Sequence, residues 1–114
     1  MSKLLLGLLC FLFGQIIIWY QTNAQFFSTW AKEHPVYMAA IFSFPISYTF
    51  IYGTKYIVES FGGQLWPGRL IGFGIGACCF GVLTFVHMGE GITMKTGVSL
   101  ILATTLVLVQ LFWK

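Results

Sequence analysis

The polar side chains of this 114-residue chain are few, and several stand inside long apolar runs. Such groups are the natural candidates for function, because burying them away from water is costly. Gln15, Trp19 and Asn23 recur at i, i+4 and i+8 and so form one stripe along a helix. An amide stripe offers neutral hydrogen bonds to a ligand, or equally to a neighbouring helix. Tyr48, Tyr52, Lys55, Tyr56 and Glu59 share a second helical face. Its upper part, Tyr48 and Tyr52, reads as an aromatic binding wall. Its charged end also suits an interfacial belt, with Lys55 extending to the headgroups. Arg69 stands on a face continued by Phe73, Ala77 and Phe80. Its guanidinium can anchor at the interface, bind an anionic group, or neutralise a carboxylate such as Glu59. Gln15, Trp19, Asn23, Tyr48, Tyr52 and Arg69 are therefore the candidate ligand-contact residues. His34, His87 and Glu90 fall near segment ends and are expected to be solvated.

These side chains need a scaffold, and composition decides its class. Hydrophobic residues make up 58% of the chain and charged residues 8%, against roughly 25% charged in soluble domains. A small soluble fold cannot hide so much apolar surface, whereas a bilayer removes the conflict. A bilayer also demands internal pairing of every backbone polar group, which leaves helices or closed barrels. The apolar runs lack the period-two alternation of barrel strands, so the expectation is all-α. A span needs about 17–25 residues. Four are expected, in one membrane domain, at about 4–20, 36–58, 69–86 and 96–113. The breaks between them hold Lys32-Glu33-His34-Pro35, then Gly62-Gly63-Gln64-Leu65-Trp66-Pro67-Gly68, then Met88-Gly89-Glu90-Gly91, all rich in helix punctuation. Lys3 before an apolar run, with Thr22-Asn23-Ala24 after it, has the outline of a secretory leader. The segment is expected to remain as the first span.

The formal net charge of +3 is spread thinly, and no basic cluster invites nucleic acid. Cys10, Cys78 and Cys79 all lie in apolar runs. They show neither metal spacing nor a disulfide framework, and read as small apolar filler. No hydrolase, zinc-protease or P-loop motif occurs, so neither enzyme activity nor a cofactor is expected. Four spans put both termini on one side, with Lys3 and Lys114. The other side has Lys32 and Lys95. Lys55 and Arg69 favour termini-in if interfacial; if they lie within the membrane the bias disappears. A chain without bias can insert both ways round.

Gly68, Gly72 and Gly76 form a ridge that admits close approach of another backbone. Together with Gly97, which opens the fourth span, they are the candidate packing or dimerisation positions. The second half of the chain also carries Gly74-Ile75-Gly76, an apolar stretch to Thr84-Phe85, then Met88-Gly89-Glu90-Gly91-Ile92-Thr93-Met94-Lys95 and the Gly97-led helix. In this order of features it resembles the last two helices of the small multidrug resistance family, within the drug/metabolite transporter superfamily. The resemblance covers about residues 72–111, while length and span count match throughout. It implies an antiparallel homodimer of four-helix subunits around one midplane substrate site, opened to each side in turn, in a bacterial inner membrane. The family's helix-one glutamate falls at about Gln15, which does not titrate, and the tryptophan expected before Gly-x-Gly is replaced by Gly72-Phe73.

The charge inventory therefore favours a neutral or anionic solute over a hydrophobic cation. The alternative is a non-transporting accessory or assembly subunit, whose glycine ridge packs against a larger complex. If the chain inserts both ways round, tags on both termini will be labelled from both sides of native membranes, and engineered cysteines will crosslink one copy to another. Labelling from a single side, with a crosslink to a different protein, assigns the accessory role.

Overall fold

The computed structural model describes residues 2–113; the terminal Lys114 invoked for topology lies outside them. The described residues are helical, with no strand among them. Helix α1 spans Lys3–Asn23 and a single 3-10 turn follows at Ala24–Phe26. The short α2 spans Thr29–Glu33, and α3 runs Pro35–Ser60. Helix α4 spans Trp66–Met88, and α5 spans Met94–Phe112. The four long helices have 21, 26, 23 and 19 residues. At about 1.5 Å per residue each covers a hydrocarbon core of about 30 Å. Four helices are thus long and apolar enough to cross a membrane, which fits a multi-pass membrane protein.

Local chemistry sets their ends. The Ser2 hydroxyl accepts from the Leu5 amide, so α1 starts at Lys3. It then continues beyond Tyr20, because its late polar residues bond back along it. Thr22 Oγ1 donates to the Ile18 carbonyl at 2.9 Å and Asn23 Nδ2 donates to the Trp19 carbonyl at 3.1 Å. Ser28 caps α2 through the Ala31 amide. Pro35 opens α3, and Pro67 sits in the first turn of α4, where a missing N–H costs nothing. Helix α3 stays continuous through Pro45. Gly89, at φ 67°, ends α4 in the left-handed conformation that glycine adopts without penalty. Thr93 Oγ1 then accepts from the Thr96 amide and starts α5.

The backbones of the long helices follow the order α3, α1, α4, α5, with α5 lying against α4 alone. The result is an open layer, 47 × 36 × 21 Å, not a closed square. Helices α1 and α3 are antiparallel and interlock by exchanging small and large residues. A methyl on Gly7 would stand 2.6 Å from Ile57 Cγ1; on Gly53, 2.8 Å from Phe11 Cδ1; on Gly14, 2.9 Å from Phe50 Cε2. Each large side chain thus fills a space that a glycine on the other helix leaves open. Phe11 and Ile57 join Ile71 of α4 in the main core cluster, reached from α5 by Val107 and Leu111. Lys3 Nζ and Glu59 Oε2, 3.1 Å apart, close the same pair of helices at their exposed ends. On the far face of α4, Gly74 receives Val107 and the Ala103 carbonyl of α5. No residue of α5 is buried.

Phe11 lies between two glycines, Gly53 on α3 and Gly72 on α4. A methyl on Gly72 would sit 4.0 Å from its ring, in ordinary contact. Gly53→Ala should therefore destabilise the protein in detergent by about 1–3 kcal/mol, the usual cost of overpacking. Gly72→Ala should leave stability unchanged or raise it by up to about 1 kcal/mol through helix propensity. Denaturant titration followed by circular dichroism measures both; equal effects would contradict the interlock.

Candidate functional site

Helices α3 and α4 meet where the loop between them closes. The Cβ position of Gly68 stands 3.3 Å from Ile57 Cγ2, and Ile57 packs on Ile71. Farther along they diverge, leaving a groove of about 730 Å³ with α1 as its floor. Phe11, Gln15 and Ile18 line the floor, Phe50 and Thr54 the α3 wall. The α4 wall is the glycine ridge, Gly68, Gly72 and Gly76, flanked by Arg69 and Phe73. The ridge residues thus create room inside the subunit. Gly97 stands apart from them at the start of α5, with only Ile92 near its Cβ position.

Gln15 and Arg69 are the polar groups that give this groove its character. The Gln15 amide lies against Gly76, with its nearest atoms 3.0 Å from where a Cβ would be. A side chain at residue 76 would displace it. Among the described residues the Gln15 amide has no hydrogen-bond partner, and it is not fully buried, so its donors and acceptor face the groove. The Arg69 guanidinium lies over the Phe73 ring at 4.6 Å, a cation–π arrangement that orients it along the groove wall. Its expected partner Glu59 is taken instead by Lys3. The neutralisation of Glu59 by Arg69 is corrected accordingly: α1, not α4, ends beside Glu59. No carboxylate lines the groove.

The other sequence candidates divide between two places. Trp19 and Asn23 share with Gln15 a recess of about 90 Å³, continuous with the groove through Gln15, Ile18 and Gly76. Asn23 spends its amide donors on the Trp19 carbonyl and Thr22 Oγ1. Trp19 is buried and its indole N–H donates to Thr84 Oγ1 at 3.0 Å, tying α1 to α4. Tyr48 and Tyr52 lie elsewhere. With Phe44 and Tyr56 they form a ladder of rings along α3, the Tyr48 and Tyr52 centroids 4.9 Å apart. The ladder borders a separate groove of about 490 Å³ shared with Leu9 and Phe13 of α1. Tyr48 and Tyr52 are therefore not brought together with Gln15 and Arg69.

Sequence reasoning missed one cluster. His87, expected to be merely solvated, sits in the last turn of α4 with Nε2 2.7 Å from the Tyr20 hydroxyl. Its ring also stacks on Trp19 and Phe27, with centroids 5.2 and 5.3 Å away. The partners are sixty or more residues from His87 in the chain, and no local motif signals them. This aromatic group stands at the end of α4 opposite Arg69, and its Trp19 ring also lines the recess. His34 makes a similar but local stack on Trp30, 4.7 Å between centroids. No group of three metal-binding side chains occurs among the described residues, and the described cysteines are unpaired.

Four membrane-length helices, three of which border an open, mostly apolar groove, define the class to which the structure speaks: a small multi-pass membrane protein. Comparison with family models, with curated proteins and with solved structures finds no match to this chain.

The Trp19–Thr84 bond is the main polar tie between α1 and α4 and can be isolated. Trp19→Phe and Thr84→Val should each destabilise the protein, and the double-mutant cycle should return a coupling of about 0.5–1.5 kcal/mol. Additive effects in chemical denaturation would remove the bond from the account.

Proposed function

We propose that the protein is a small-solute carrier of a bacterial inner membrane, working as a homodimer by alternating access and moving an anionic or neutral solute. The observation that carries this reading is the groove itself. Its polar equipment is an unpaired neutral amide, Gln15, the Thr54 hydroxyl, and a cation that no carboxylate pairs with among the described residues, Arg69. An anion entering there meets a positive charge held over the Phe73 ring at the exposed end of the groove. A cation meets repulsion and no counter-charge. The groove is open between α3 and α4, so a single subunit does not enclose a solute; a second copy set across it supplies the missing wall. The recess beyond Gln15, lined by Trp19 and Asn23, lies on the side of the groove away from Arg69.

Lys3, Lys55 and Arg69 gather at the termini end of the layer, and Lys32 and Lys95 at the other. This balance leans towards termini-in, so the antiparallel pair rests on the open groove rather than on charge. The likeness of Gly74-Ile75-Gly76 and Met88–Lys95 to small multidrug resistance proteins supports the same architecture. One observation favours the second reading, an accessory subunit: α5 exposes Ile101, Leu102, Leu108 and Phe112 and buries nothing, which leaves a whole helix free to pack against a larger complex.

The test is flux in proteoliposomes with two permanently charged probes. Benzenesulfonate should enter faster than in protein-free liposomes, and tetraphenylphosphonium should not. Arg69→Gln should lower benzenesulfonate entry by up to about fivefold, since an exposed ion pair contributes about 0–1 kcal/mol. Entry of the cation, or anion entry indifferent to Arg69, would reject the carrier reading in this form.

A further inference from the structure

The two polar groups of the groove stand at different depths, and their spacing constrains what can satisfy both. Gln15 packs against Gly76. That position is three residues beyond Phe73, over which the guanidinium lies, and seven beyond Arg69 itself. At a rise of about 1.5 Å per residue, the amide and the cation are separated by roughly 5–10 Å along α4. Between them the wall is Phe11, Phe50, Gly72 and Phe73, and the one further polar side chain lining the groove is the Thr54 hydroxyl of α3. The bare backbone at Gly72 and Gly76 leaves this stretch of wall flat, and the rings of Phe11 and Phe50 face it from the other helices.

We infer that the groove takes a bifunctional, flat aromatic anion: a monoanionic head on Arg69, an aromatic body between Phe50 and the glycine ridge, and a neutral hydrogen-bonding group at the far end meeting Gln15. This rests on the reading of the groove as an anion site and narrows its ligand. Each part answers a specific feature. The head replaces the carboxylate that Arg69 lacks, since Glu59 is engaged by Lys3. The body replaces lipid or water against the apolar wall. The distal group answers the Gln15 amide, which is half-buried, has no protein partner among the described residues and can hydrogen-bond a ligand. A simple acyl chain, with the head of a lipid on Arg69, satisfies the first two features and fails the third. The ligand is accordingly a free solute rather than a membrane lipid. Gly76 is the specificity-determining residue on α4, since any side chain there would push the Gln15 amide away from the groove.

The experiment compares two probes that differ by one hydroxyl, naphthalene-2-sulfonate and 6-hydroxynaphthalene-2-sulfonate. Each is titrated into the full chain in phosphatidylcholine nanodiscs, with empty nanodiscs as reference. The hydroxylated probe should bind about five- to tenfold more tightly, the ratio expected of one neutral hydrogen bond. Gln15→Leu should bring that ratio close to one, whatever the affinity of the plain probe. Gly76→Ala should reduce the ratio in the same way, and Arg69→Gln should weaken both probes together. Equal binding of the two probes to the unmodified chain overturns the bifunctional ligand and leaves the anion site standing. Absence of saturable binding by either probe removes the anion site, and the narrower inference with it. Replacing phosphatidylcholine by phosphatidylglycerol should not displace the hydroxylated probe; displacement would give the groove to a lipid and overturn the inference by a separate route. Circular dichroism of each variant confirms that a lost ratio does not reflect a lost fold.

Discussion

The structure depends on a reciprocal exchange of size between α1 and α3. Gly7, Phe11 and Gly14 on one helix meet Ile57, Gly53 and Phe50 on the other. In lipid there is no hydrophobic force to bring two apolar helices together, because the tails are as apolar as the side chains. Association rests on close packing and on the few hydrogen bonds available. An exchange of this kind allows backbones to approach while every gap is filled by a large side chain from across the interface. It also fixes register, since sliding one helix by a single residue sets Phe11 against a side chain rather than against Gly53. The pair so formed carries α4 through Ile71, and α4 carries α5 through Gly74.

From that pairing follows the groove. Because α1 is held against α3 along its length and also touches α4, it becomes the floor between two helices that separate once they leave their connecting loop. The glycines of α4 face this opening, where missing side chains provide volume, while Gly74 on the opposite face provides contact. One helix thus uses glycine for two opposed purposes, and burial alone does not tell them apart. The polar groups are distributed with equal economy. Trp19 and Thr84 satisfy one another, Asn23 bonds locally, and Gln15, Thr54 and Arg69 line the opening with hydrogen-bonding capacity to spare among the described residues.

The four spans and their breaks were legible because long apolar runs and Gly/Pro punctuation are local signals. Gln15 and Arg69 were legible because a polar residue in such a run stands out whatever its neighbours are. The direction each face points was not. These helices are apolar on almost every side, so amphipathicity does not say which side of α3 meets α1, and Tyr48 and Tyr52 could not be placed relative to Gln15. The exchange of small and large residues is written in mirror-image spacings, 7-11-14 and 57-53-50. It becomes visible only once the two helices are known to be antiparallel neighbours. The meeting of His87 with Tyr20 and Trp19 depends on the same knowledge for α1 and α4. The short α2 and the 3-10 turn before it fell where turn residues announce a break without announcing its shape.

The two faces of α4 also separate two demands on one helix. Gly72 and Gly74 are two residues apart, so at about 100° per residue they look in nearly opposite directions. One borders the groove and the other is filled by Val107 and the Ala103 carbonyl. That second contact is local, since farther along α4 and α5 part around Cys78, Gly81 and Leu100. How closely α5 seats on α4 is therefore set at Gly74, and how much room the opening offers is set at Gly72, so a change of residue at one position need not alter the other.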